Sequence, residues 1–141
     1  VRIVSVTLPF FVYGTLRPGR PNHDLFLRGR TLSEQPAVMR GAVLYEGPGY
    51  PYVVEEPGGT VYGEIVTARP EEYGELLRTL DRLEDYAPGD PRNLYERVER
   101  EVTLVGDGEP ARAWVYVAAP AVAARLRARG KRIEGGDWSA G

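Results

Sequence analysis

Short apolar runs, broken by glycine and proline, set the rhythm of this chain. LPFFVYG (Leu8–Gly14) is apolar and stops on a glycine, which predicts a buried strand. PNHDLFLRG (Pro21–Gly29) predicts a short helix capped by Asn22 and stopped by Gly29. AVMRGAVLYEG (Ala37–Gly47) and YPYVVEE (Tyr50–Glu56) read as strands joined by the turn Gly47–Gly49. TVYGEIVTA (Thr60–Ala68) reads as another strand, with Gly63 either weakening it or admitting a close backbone approach. Arg69–Tyr86 carries the strongest helical period; Pro70 suits its first turn, and Glu71 and Glu72 suit the positive end of its dipole. After the breaker APGDPRN, Tyr95–Val105 alternates, with Val98, Val102 and Leu104 on one face. Ala111–Ala119 returns as the second arm of a hairpin. AVAARLRARG (Ala121–Gly130) predicts a short helix, and the tail EGGDWSAG surrounds Trp138 with small residues.

About six strands thus stand against one long and two short helices. Short turns favour antiparallel pairing. The expected fold is α+β: a small mixed, mainly antiparallel β-barrel, with the long helix covering one side. No repeat or linker divides the chain, so residues 1–141 are read as one domain.

Composition narrows the chemistry. The chain has 141 residues, 43% of them apolar, which suits a single core. A net charge of -2 and a pI near 5.5 leave no footprint for a nucleic-acid partner. The basic run Arg125, Arg127, Arg129, Lys131 and Arg132 reads as a solvated helix face. With no cysteine and one histidine, thiol catalysis and cysteine- or histidine-rich metal sites are excluded. No apolar run approaches the ~20 residues of a membrane span, and no leader pattern opens the sequence. A cytoplasmic protein without membrane partners, monomeric or weakly homodimeric, is the expectation.

One acidic residue breaks the pattern of the long helix. At roughly 100° per residue, Tyr73, Leu76, Leu77, Leu80 and Leu83 share an apolar arc, and Glu75, Arg78 and Arg82 lie opposite. Asp81 lies just beyond the arc's edge; Glu84 falls within it, i+4 from Leu80. Either the last turn frays and Glu84 meets water, or its carboxyl is desolvated and its pKa rises, as a general acid/base requires.

The segment FVYGTLRPGRPNH raises a second question. Gly14 and Gly19 have the spacing of a phosphate loop, but Arg20 and Pro21 replace its lysine and hydroxyl. A plain structural turn is one reading. The other is that the dihedral freedom of Gly14 lets the backbone of Tyr13, Gly14, Thr15 and Leu16 offer N–H groups to a carboxylate or an oxyanion.

Four blocks now point one way. VYGTLRPGRPNH, LDRLEDY (Leu80–Tyr86), YERVEREVTL (Tyr95–Leu104) and IEGGDW (Ile133–Trp138) occur in this order. Together they resemble the γ-glutamylcyclotransferase-like superfamily, and within it the γ-glutamylamine cyclotransferase and AIG2-like branch. The resemblance implies a small barrel with flanking helices that needs no cofactor or metal. It also implies an enzyme that cyclises a small γ-glutamyl substrate to 5-oxoproline and releases an amine. It assigns Glu84 as acid/base and Tyr13, Gly14, Thr15 and Leu16 as the glutamyl-binding loop. The alternative is a non-catalytic module of the same fold that binds a small anion. Tyr95 and Arg97, two apart on one strand, and Tyr50 are secondary candidates for substrate contact; a structural ion pair is the first reading of Arg97, and core filling that of Tyr50. Tyr52, Trp114 and Tyr116 read as packing residues, and His23 as a surface or helix-start residue. The variable loop APGDPRNL (Ala87–Leu94) is expected to shape the leaving-group side.

Overall fold

A small barrel closes only if its longest strands bend. In the computed structural model, which describes residues 7–138, two strands supply that bend: β2 (Thr31–Glu46) and β3 (Pro51–Ala68). They pair antiparallel along most of their length, but the register jumps from Arg40↔Thr60 to Ala42↔Glu55. The extra residues on β3 form a bulge, which raises local twist and curls the hairpin. The two strands read from YPYVVEE and TVYGEIVTA are therefore two arms of one bent strand.

β1 (Phe10–Val12) pairs antiparallel with β3 and parallel with β5 (Pro110–Ala118). β4 (Tyr95–Leu104) pairs antiparallel with β5 along a regular ladder and with β2 at Ala37 and Val38. The order β3-β1-β5-β4-β2 closes through the β2–β3 pairing, so five strands make a mixed barrel. A two-residue strand, β6 (Arg132–Ile133), adds to β2 outside the ring. Gly63 sits where β1 crosses β3, and a Cβ there would lie 2.2 Å from the Val12 carbonyl oxygen. Close approach, not strand weakening, is the reason for this glycine.

Alternation along the strands splits the core in two. One cluster, including Phe11, Met39, Val53, Val61, Ile65 and Val115, contains no helix residue and fills the barrel. The other joins Phe10, Val12, Val54, Val66 and Tyr116 on the outer face to Leu76, Leu80, Val122 and Leu126 from the helices. The helices are α1 (Pro21–Phe26), α2 (Tyr73–Leu83) and α3 (Pro120–Arg129). Leu76 and Leu80 are fully buried, each worth about 1.5–3 kcal/mol, and these contacts seat α2 on the barrel.

Three local expectations are corrected. The residue before α1 is Arg20, with extended backbone; Asn22 lies inside the helix and caps nothing. The expected helix Arg69–Tyr86 begins as a 3-10 turn, Pro70–Glu72, and is α-helical only over Tyr73–Leu83. Residues 139–141 of the tail lie outside the described residues. No helix among the described residues is long and apolar enough to cross a membrane.

Candidate active site

The site begins where β1 ends. After Val12 the chain makes a tight turn in which the Arg17 amide donates to the Gly14 carbonyl at 3.1 Å. Thr15 and Leu16 are its central residues, and their amides make no hydrogen bond among the described residues. Gly14 does not have a positive φ, so the dihedral freedom expected of it is not used. Space is the reason: a Cβ at Gly14 would sit 2.9 Å from Pro51 Cδ. The free amides come from turn geometry instead.

α1 holds this turn with two successive residues. Asn22 Nδ2 donates to Thr15 Oγ1 at 3.0 Å. His23 Nδ1 lies 3.0 Å from the Leu16 carbonyl oxygen, and its Nε2 lies 2.7 Å from Glu34 Oε2. His23 is the third residue of α1, one of the two positions expected for it, and it is buried rather than at the surface; it braces the loop. Arg17 adds a third restraint, with Nε and Nη2 donating to Glu64 at 2.9 and 3.0 Å.

The other wall is the end of α2. Glu84 is the residue that closes the helix. The Asp85 amide donates to the Arg82 carbonyl at 3.0 Å, and the Tyr86 amide to the Asp81 carbonyl at 2.8 Å. This pair of bonds is the Schellman pattern, and it needs a left-handed residue after the cap. Asp85, with φ +53°, takes that place. The last turn is therefore tied, not frayed, and the direction of Glu84 is set.

The Glu84 carboxyl has no hydrogen bond or ion pair among the described residues. Although the residue as a whole is only half-buried, the loss of water around its carboxyl lifts the pKa from the ordinary 4.5 to about 7. A carboxyl at that value exchanges its proton readily near neutrality.

Loop and helix end face one cavity of about 470 Å³. Tyr13, Gly14, Thr15, Leu16 and Glu84 all line it, as do Tyr50 and Tyr95. Several tyrosine hydroxyls of the wall are already engaged. Tyr13 donates to the Tyr116 carbonyl and Tyr95 to the Pro51 carbonyl. The Tyr116 hydroxyl donates to Asp81 Oδ1 at 2.6 Å. Burial is the main reason that all three phenols are held well above their ordinary value of 10.0, so they stay neutral. Their rings give the cavity an apolar lining, while the Thr15 and Leu16 amides and Glu84 supply its polar points.

Arg97 does not line this cavity. Its Nε donates to Asp81 Oδ1 at 2.9 Å, and its guanidinium lies 4.4 Å from the centre of the Trp114 ring. It belongs to the joint between α2 and the barrel, as the structural ion-pair reading expected, and not to the substrate cavity. Sequence reasoning missed Tyr116 as a cavity residue and Asp81 as the acceptor shared by Tyr116 and Arg97. The β4–β5 ladder carried a signal, because it pairs Arg97 directly with Tyr116. Tyr52 is buried, as expected of a packing residue. Among the described residues no group of three or more His, Cys, Asp or Glu is placed to hold a metal ion.

The fold and the site define a class: a closed mixed barrel with one desolvated, unpaired carboxyl facing bare amides across a cavity of small-molecule size. Comparison with known proteins gives the family. The sequence model described as gamma-glutamyl cyclotransferase, AIG2-like, matches residues 10–140, and the chain belongs to that family. It is 39% identical to a gamma-L-glutamyl-butirosin B gamma-glutamyl cyclotransferase of Niallia circulans, over 76% of this chain and 64% of that protein. It is 33% identical to a gamma-glutamylaminecyclotransferase of Bos taurus, over 79% of this chain and 66% of that protein. The chain spans just under two thirds of the length of each of these relatives. The crystal structure of an AIG2-like protein from Mus musculus superposes with a TM-score of 0.62 at 26% identity, covering 81% of this chain and 80% of that one.

Proposed function

We propose that this protein is a γ-glutamyl cyclotransferase that releases 5-oxoproline and a free amine from a γ-glutamyl amide, with Glu84 as the acid/base. The observation that carries this reading is the unpaired Glu84 carboxyl, lifted to about 7, in the same cavity as the free Thr15 and Leu16 amides.

The chemistry follows from what each group can do. The α-amine of a γ-glutamyl compound is an ammonium at neutral pH and must lose a proton before it attacks. Ionised Glu84 takes that proton. The amine nitrogen then bonds to the γ-carbonyl carbon and closes a five-membered ring. As the bond from that carbon to the leaving nitrogen breaks, Glu84 returns the proton to the departing amine. The carboxylate so restored takes the second proton that the ring nitrogen must lose to become a lactam N–H, and passes it to the amine, which leaves as an ammonium. The two amides offer donors to the negative oxygen of the bound glutamyl unit, and the Asn22 and His23 braces keep them in place before it arrives. Ring closure is unimolecular, so an apolar cavity that holds the chain folded lowers its entropic barrier. The family supports small γ-glutamyl substrates; the names of both relatives contain a γ-glutamyl group, and that of the Bos taurus relative places it on an amine.

The test is direct. Wild type is incubated with a panel of γ-glutamyl amides, and 5-oxoproline is followed by mass spectrometry. Release by wild type and loss with Glu84→Gln are the expected results. No release from any member, with a γ-glutamyl compound still bound, would replace this reading by that of a binding module.

A further inference from the structure

A second hollow, of about 510 Å³, adjoins the first. Tyr50 and Leu94 line both, so they form the shared wall. The far side of this hollow is the exposed flank of α3. That helix carries arginines at 125, 127 and 129, all exposed. Arg127 turns to the barrel, where it donates to the Glu55 carbonyl and lies 3.7 Å from Glu56. Arg125 and Arg129, one helical turn apart, line the hollow instead. Neither forms an ion pair among the described residues. Glu46 is the one carboxylate on the lining, and Lys131 holds it at 3.4 Å.

Arg125 is also within electrostatic reach of the Tyr52 hydroxyl, whose pKa it pulls down against the larger rise imposed by burial. The Tyr52 ring stacks on Tyr95 at 4.7 Å and meets Tyr50 edge-on at 5.6 Å. Tyr50, which lines both hollows, and the stacked pair Tyr52 and Tyr95 stand between this cation and the Glu84 cavity. The helix dipole favours a cation in the last turn and accounts for Arg129 alone. It does not account for a second arginine a turn earlier, facing the same hollow.

We propose that Arg125 and Arg129 form the subsite for the departing half of the substrate, and that this half carries a carboxylate, as an amino acid or short peptide does. The inference rests on the cyclotransferase reading and adds the leaving group to it. A glutamyl unit held at Glu84 sends its amide substituent past Tyr50 and Leu94. Two guanidinium groups at that exit hold a carboxylate by charge-assisted hydrogen bonds. They repel a polyamine or an aminosugar, so the two arginines also exclude cationic leaving groups.

The discriminating substrates are γ-glutamyl-alanine and γ-glutamyl-alaninamide, which differ only in that carboxylate. Wild type is expected to favour the acid by about tenfold in kcat/KM, chiefly through KM, with the preference shrinking in high salt. The pair Arg125→Glu and Arg129→Glu brings the ratio to unity or below. The pair Arg125→Ala and Arg129→Ala moves it the same way, and thermal melts check that both variants fold. Equal use of the two compounds by wild type, or a ratio that survives charge reversal, overturns the inference and leaves the cyclotransferase reading intact. Calorimetric binding of the same compounds to Glu84→Gln separates the opposite case. If wild type turns over nothing but binding still depends on the arginines, the subsite stands and the catalytic reading falls. Neither turnover nor binding overturns both.

Discussion

Replacing Glu84 by glutamine keeps the side chain's size and removes its charge, and the structure gives the consequence a sign and a size. The folded carboxyl titrates at about 7 because it is desolvated, against an ordinary 4.5. Between those pH values the folded chain holds a proton that the unfolded chain has released. Stability therefore falls as pH rises through that window, and the full penalty is present above 7. At ~1.4 kcal/mol per tenfold change in proton affinity, the ceiling is about 3 kcal/mol. The side chain keeps some contact with water, so about 1–3 kcal/mol is the expected range. Glu84→Gln escapes this penalty. In urea denaturation, its stability relative to wild type should improve by that amount between about pH 4.5 and about pH 8. Its turnover should fall by about 10²–10⁴-fold at neutral pH. Wild-type kcat/KM should rise with pH and level off above an apparent value of about 7, since only the ionised form takes the substrate's proton. A stability difference that does not change with pH would show that the carboxyl is not desolvated. Undiminished turnover by the variant would remove it from the chemistry.

Other consequences are read from single contacts. Gly14→Ala places a methyl group 2.9 Å from Pro51 Cδ; it should cost about 1–3 kcal/mol in thermal melts and lower kcat/KM by displacing the free amides. Asp85→Gly removes an aspartate from a left-handed position with φ +53°, and should raise the unfolding free energy by about 0.5–1 kcal/mol in urea denaturation without loss of turnover. Asp81→Ala strips the shared acceptor from Arg97 and Tyr116, at a cost of about 2–4 kcal/mol. Arg97→Met should lower the melting temperature and leave KM for the γ-glutamyl substrate unchanged, because Arg97 lies outside the cavity; a rise in KM alone would return it to the substrate.

The leaving-group proposal bears on how relatives differ. A relative that releases a cationic amine is expected to lack the two arginines, which would oppose such a group at the exit of this cavity.

Much of this was legible in the chain because it rests on local periods. Alternation predicts the hairpin of β4 and β5, and a 3.6-residue period predicts α2 with Leu76, Leu80 and Glu84 on one side. The order of the four sequence blocks led to the family and to the loop Tyr13–Leu16. Composition kept metals and thiols out of the reading. What the chain alone left open is decided by contacts between distant segments. The Glu84 carboxyl is lifted because burial strips its water and no cation or donor among the described residues replaces it, and only the packed structure shows both. Tyr95 and Arg97 share a strand face, yet Tyr95 lines the cavity with its hydroxyl on the Pro51 carbonyl, and Arg97 goes to Asp81 of α2. Gly14 is needed for Pro51, a neighbour supplied by another strand, and not for its own dihedral range. Periodicity is a property of successive residues; desolvation, pairing and close approach depend on which segments meet, and only the closed barrel brings those segments together.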